Sequence, residues 1–185
     1  MRTTIKGDQP LFTPDHTISR QASAKTILIA VDDSDESGRA LQYVGHLLRD
    51  IPDVYVTLFH VLNPMPRELM EHGGSEDPAT EDHLGEQLRK AQEEWIRAEG
   101  AIEYPILVSA LERLGQIGFP LDRVTLKLGY ERDIADSIMD EVKAGGYGTV
   151  VVTRHSPTGT KRLFAGGIID RLSRELSGVA LWVLE

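Results

Sequence analysis

The run Thr26-Ile27-Leu28-Ile29-Ala30-Val31 is apolar without a break and stops at Asp32-Asp33-Ser34. A strand reads this way when both of its faces are covered, as in a parallel sheet lying between layers of helix. Residues 54–62, 124–128, 149–152 and 179–184 supply four further runs of the same kind. Between them apolar residues return at helical spacing, through Ala40, Leu41, Val44, Leu47 and Leu48 after the first run and Ile134, Ile138, Met139 and Val142 after the third. The alternation predicts an α/β fold: a five-stranded parallel sheet with helices on both faces, Rossmann-like, joined by right-handed crossovers. Ligands of such sheets sit outside the carboxyl ends of the strands, where the strand order reverses. Asp32 and Thr153 both fall at such ends.

Punctuation fixes the expected boundaries. Residues 1–24 mix Gly, Pro, Thr, Ser and isolated charges with no period, and read as a tail or arm ahead of a domain over 25–185. Ser34 or Asp35 is the expected cap of the first helix, and Pro52 marks its end. Asn63-Pro64-Met65-Pro66 breaks the second strand, and Gly145-Gly146 ends the helix that begins near Ile134. The interval 67–120 is long enough for more than one crossover helix. Residues 71–80 read as a surface loop, Leu84, Leu88, Ala91, Trp95 and Ala98 as one helical stripe, and Ile106, Ala110, Leu111, Leu114 and Ile117 as a second, stopped by Gly118-Phe119-Pro120. Between Glu68 and Glu99 ten acidic residues face three basic ones, a local net of −7, so this extension reads as a solvated acidic helical face with Trp95 in the core or at a subunit contact.

Charge and composition narrow the function classes. The chain of 185 residues has a net charge of −9, which argues against general nucleic-acid binding. No apolar run of about 18 residues and no secretory leader is visible, so a cytoplasmic protein without a membrane span is expected. Cysteine is absent, which removes disulfides, thiolate metal sites and Cys nucleophiles.

The stretch from Gly148 to Arg174 carries most of the chemistry. A strand, Thr149-Val150-Val151-Val152, passes into a polar loop and then into Gly166-Gly167 ahead of Ile168-Ile169-Asp170-Arg171-Leu172. The first N–H groups of a helix lack intrahelical partners and carry the positive end of its dipole, so this junction is a candidate anion site. From Thr153 to Arg174 the charges are Arg154, Lys161, Arg162, Arg171 and Arg174 against Asp170, a net of +4. His60 reads as packed at a strand end and His155 as a solvated loop residue; neither belongs to a Ser, His and acid arrangement. Asp32-Asp33 after a first strand also occurs in phosphoacceptor receiver domains. Such a domain needs an Asp ending its third strand and a Lys ending its fifth, and those ends offer Gly129 and Glu185. Asp33 therefore reads as a turn or capping residue.

The opening Ile-Leu-Ile-Ala-Val-Asp-Asp-Ser-Asp-Glu-Ser, the second-strand Leu58-Phe59-His60-Val61, Gly118-Phe119-Pro120 and Gly129 together resemble the universal stress protein family over nearly all of 25–185. The resemblance implies ATP or AMP held between the end of the first strand and the fourth-strand loop, with Mg²⁺ only as a companion of the nucleotide. It places Asp32 against the adenosine, Val61 near the adenine through its backbone, and Thr153, Arg154, Ser156, Gly166, Gly167 and Ile168 along the phosphates. The family pattern of Gly, two residues, Gly, nine residues, Gly and a hydroxyl residue meets Thr153, Ser156, Gly166 and Gly167 here, so two of its three glycines and the hydroxyl are replaced. The implied function is a stress-responsive regulatory module with ATP hydrolysis slow at most; the alternative is a dimeric interaction protein on the same fold that binds no nucleotide. The resemblance further implies a homodimer through 179–184, with a protein partner of unknown identity.

Overall fold

The computed structural model describes residues 23–70, 78–130, 133–154 and 167–185, with backbone only for 23–24 and 78–81. Its elements are β1 (Ser23–Ala30), α1 (Asp35–Leu48), β2 (Tyr55–Val61), α2 (Pro78–Gln116), β3 (Val124–Gly129), α3 (Ile134–Gly145), β4 (Tyr147–Thr153), α4 (Gly167–Glu175) and β5 (Ala180–Leu184), with short 3-10 turns at Arg67–Leu69 and Leu121–Arg123. The five strands form one sheet in the order β3-β2-β1-β4-β5. Every pairing is parallel. Strand order therefore reverses between β1 and β4.

The pleat sorts the unbroken apolar runs onto two faces. Ile27, Ile29, Leu58 and Val151 join Leu41 and Val44 of α1 and Leu107 and Leu114 of α2 in one core. Leu28, Ala30, Phe59 and Val152 join Ile138 and Val142 of α3 and Leu172 of α4 in the other. Each such side chain contributes about 1.5–3 kcal/mol on leaving water, and Leu28, Leu58 and Val150 to Val152 are fully covered.

Local chemistry sets the helix ends. Ser34 caps α1 by accepting from the Ser37 amide at 3.1 Å, with Asp35 and Glu36 in the first turn complementing the dipole. The helix stops at Leu48, four residues before the Pro52 at which the sequence places its end. Asp133 caps α3 through the amides of Ala135 and Asp136 at 2.8 and 3.3 Å. Gly146 closes it in the left-handed conformation, φ 67°, which a side chain would disfavour.

The interval expected to hold two helices holds one. Helix α2 runs unbroken over 39 residues, a length of roughly 58 Å at 1.5 Å per residue. Pro105 lies inside it, where the missing N–H leaves the Ala101 carbonyl without its intrahelical donor. Both residues are exposed, so water can serve that carbonyl and the helix continues. Its packing changes along its length instead. Gly100, Glu103, Leu107, Ala110 and Leu114 are buried at alternating spacings of three and four, whereas no residue from Asp82 to Glu99 is buried. Pro78 to Thr80, read as loop, already belong to this helix; 71–77 lie outside the described residues.

Candidate functional site

At the carboxyl edge Val61 ends β2, Asp32 follows β1 and Thr153 ends β4, three neighbouring strands at the reversal point. The Asp32 carboxylate shapes the turn that leaves β1. Its Oδ1 accepts from the Ser34 amide at 3.0 Å and from the Ser34 hydroxyl at 2.5 Å, while its own amide donates to Ser37 Oγ at 3.1 Å. The turn-forming role assigned to Asp33 thus has a counterpart in Asp32. Val61, Asp32, Phe59 and Ile134 border a cavity of about 10 Å³. That is room for about one water.

Thr153 is 1 % exposed. Strand alternation puts its side chain on the α1/α2 face with Thr149 and Val151, whereas Val61 alternates with His60 onto the face of Phe59. It pairs in register with Leu184 of β5. The only described non-glycine residue with positive φ is Asp53, so Thr153 occupies this position without the backbone strain that would favour glycine. Its Oγ1 has no hydrogen-bond partner among the described residues. A buried hydroxyl left unpaired costs about 1–3 kcal/mol.

Gly167 opens α4, exposed, and a Cβ built on it meets nothing within 4 Å. Ile168 is half-buried and packs against the α3/α4 core. Ser156, Gly166, His155, Lys161 and Arg162 lie outside the described residues.

Of the five basic residues counted from the sequence, Arg171 and Arg154 meet carboxylates among the described residues, and Lys161 and Arg162 lie outside them. Arg171 holds Asp133 at 2.9 Å, Asp136 at 2.5 Å and Glu175 at 3.1 Å, which joins α4 to the amino end of α3. The hydrogen bonds from Asp136 and Glu175 raise the Arg171 guanidinium further above its ordinary range. Arg154 lies 3.4 Å from Glu185. Arg154 remains exposed, and a surface pair of that kind holds it weakly.

Asn63 and Glu103 join His60 in a polar network at this edge that sequence reasoning did not assemble. His60 is buried as expected, with Nδ1 2.8 Å from the Val31 carbonyl and Nε2 2.6 Å from Glu103 Oε2. Asn63 donates to Glu103 Oε1 and, at 2.8 Å, to Glu99 Oε1. This network pins the ends of β1 and β2 to the middle of α2. Trp95 is half-buried on the segment of α2 beyond it. Among the described residues no group of three or more His, Asp or Glu is placed to hold a metal ion.

A parallel sheet covered by helices on both faces, with its strand order reversing between β1 and β4, defines a doubly wound α/β protein. The family model described as the universal stress protein family matches residues 23–178, and the chain belongs to that family. Solved structures of similar fold include a universal stress protein in complex with cAMP, at 15% identity and TM-score 0.57, covering 88% of this chain and 99% of that one. UspA of Lactobacillus plantarum is 16% identical with TM-score 0.55, covering 89% of this chain and 100% of the other. The universal stress protein of Archaeoglobus fulgidus in complex with dAMP is 17% identical with TM-score 0.51, covering 86% and 97%. None of the curated proteins compared matches the chain.

Proposed function

We propose that this protein is a regulatory module that takes an adenine nucleotide, ATP or AMP, at the β1/β4 crevice and acts in a stress response through ligand-dependent contacts. The observation that carries the reading is the open approach to Gly167 at the first turn of α4, beside the point where strand order reverses. The first-turn amides and the positive end of the helix dipole suit an anion there. Asp32 and Val61 meet the nucleoside, Thr153, Arg154, Ser156, Gly166, Gly167 and Ile168 border the phosphates, and Mg²⁺ enters with the phosphates. Similar folds that hold cAMP and dAMP support an adenine ligand. Chain pairing through β5, where Val183 is 36% exposed on an edge strand, gives a homodimer.

One observation favours the alternative, a dimeric interaction protein without nucleotide: the cavity beside Val61 and Ile134 is only about 10 Å³. Calorimetric titration with ATP, AMP and their Mg²⁺ complexes separates the two. The nucleotide reading expects saturable heat and a raised melting temperature in wild type, both lost in Gly167→Asp. A carboxylate at the first helical position repels phosphate while suiting the helix dipole, and it enters open space, so folding is preserved. Absence of heat up to about 1 mM ligand excludes the nucleotide reading.

A further inference from the structure

On the α1/α2 face a second cavity, of about 260 Å³, opens between the first turns of α1 and the carboxyl-terminal half of α2. Among the described residues, Asp32 alone borders both this space and the small cavity at Val61. Its volume corresponds to about nine waters of bulk liquid, enough for a small organic molecule. Leu41, Ile106 and Ala110 supply an apolar wall. Arg113 stands at this wall in the last turn of α2.

The seating of Arg113 is specific. Its guanidinium rests in the notch that Gly38 leaves on α1: a Cβ built at Gly38 would lie 2.3 Å from Nη1 and 3.1 Å from Cζ. Packed there, Arg113 has no hydrogen bond or ion pair among the described residues. Arg113 is exposed, and its guanidinium, resting against Gly38 with no partner among the described residues, offers its donor fork to a planar, bidentate acceptor such as a carboxylate. Asp33 lies on the same lining, and Asp35 and Glu36 are in the adjoining first turn. This acidic side disfavours a phosphate dianion and suits a ligand that brings an ammonium group with its carboxylate.

We propose that the α1/α2 cavity binds a small aliphatic zwitterion of the free amino acid class, with its carboxylate on Arg113, its ammonium toward Asp33 and its side chain against Leu41, Ile106 and Ala110. The site is separate from the nucleotide crevice, and its occupancy bears on α2 and on the turn that carries Asp32.

Calorimetry and thermal shift with L-leucine on the full chain test it, alongside 4-methylpentanoate, which lacks the amine, isopentylamine, which lacks the carboxylate, and inorganic phosphate. Saturable leucine binding is expected, weakened at least about tenfold in Arg113→Gln and in each half-analogue, a loss of about 1.4 kcal/mol. Gly38→Ala keeps the charge and displaces only the flexible end of Arg113 from its notch, so the same loss is expected in a folded protein. Gly167→Asp binds leucine as wild type does, which separates this site from the proposed nucleotide site. No saturable leucine binding up to about 10 mM overturns the proposal. So does unchanged affinity in Arg113→Gln, or phosphate binding as tightly as leucine.

Discussion

His60 Nε2 stands 2.6 Å from Glu103 Oε2, and both side chains are buried. With the Val31 carbonyl 2.8 Å from Nδ1, both ring nitrogens are engaged by the protein. Breaking such a pair from one side strands a carboxyl group in the interior. His60→Leu is expected to cost about 3–5 kcal/mol. Glu103→Gln keeps a donor for Nε2 and an acceptor for Asn63, and should cost about 1 kcal/mol or less. Urea unfolding of both variants checks this, and equal losses would show that the pair is not a unit.

Tyr147 is a buried phenol on the opposite core. Its hydroxyl donates to Glu141 Oε1 at 2.6 Å and lies 3.1 Å from Thr57 Oγ1. Burial first, and then the bond to Glu141, hold the phenol well above the ordinary tyrosine range. Above roughly pH 10 the unfolded chain therefore releases a proton that the native state retains, and stability falls as pH rises. Tyr147→Phe lacks this loss. Wild type should be the more stable at neutral pH by about 1 kcal/mol, with the gap shrinking as pH rises through roughly 10. A gap that stays constant across that range would refute the linkage.

Arg171 places Nε, Nη1 and Nη2 on three carboxylates from two helices. An ammonium cannot reproduce that fork. Arg171→Ala and Arg171→Lys should both lower the melting temperature, and the Lys variant should not restore it. Since the guanidinium is already engaged, nucleotide affinity should stay within about twofold in either variant. A melting temperature unchanged in Arg171→Ala, or a tenfold loss of nucleotide affinity there, would return Arg171 to the phosphate side.

The sheet was legible because β1, β2 and β4 are buried on both faces, and such strands are filled mainly by apolar residues. The single α2 was not legible, since a proline between two stripes looks like a break. Only its exposure, with that of Ala101, makes it tolerable, and exposure is a tertiary fact. Glu103 carried a usable signal: it sits on the inward stripe with Leu107, Ala110 and Leu114, where a carboxyl group needs a partner. The engagement of Arg171 was not legible because two of its partners, Asp133 and Asp136, lie 38 and 35 positions away in sequence. Only Glu175, four residues on, could be read locally.

Thr153, at the position where the resemblance expects glycine, is a buried side chain whose hydroxyl has no partner among the described residues. Replacing that hydroxyl with a methyl group removes the unmet polar atom and keeps the shape. Thr153→Val should therefore stabilise the free protein by about 1 kcal/mol, measured by chemical denaturation. Thr153→Gly restores the family residue but surrenders packing and adds backbone entropy to the unfolded chain, so it should destabilise by about 1–2 kcal/mol. Nucleotide titration of the same variants adds a second readout. A ligand that reaches the hydroxyl binds Thr153→Val more weakly than wild type. A ligand held only by backbone amides binds the two alike, as expected for a side chain directed to the α1/α2 face. Destabilisation in Thr153→Val would mean that the hydroxyl is satisfied in solution, contrary to its position here.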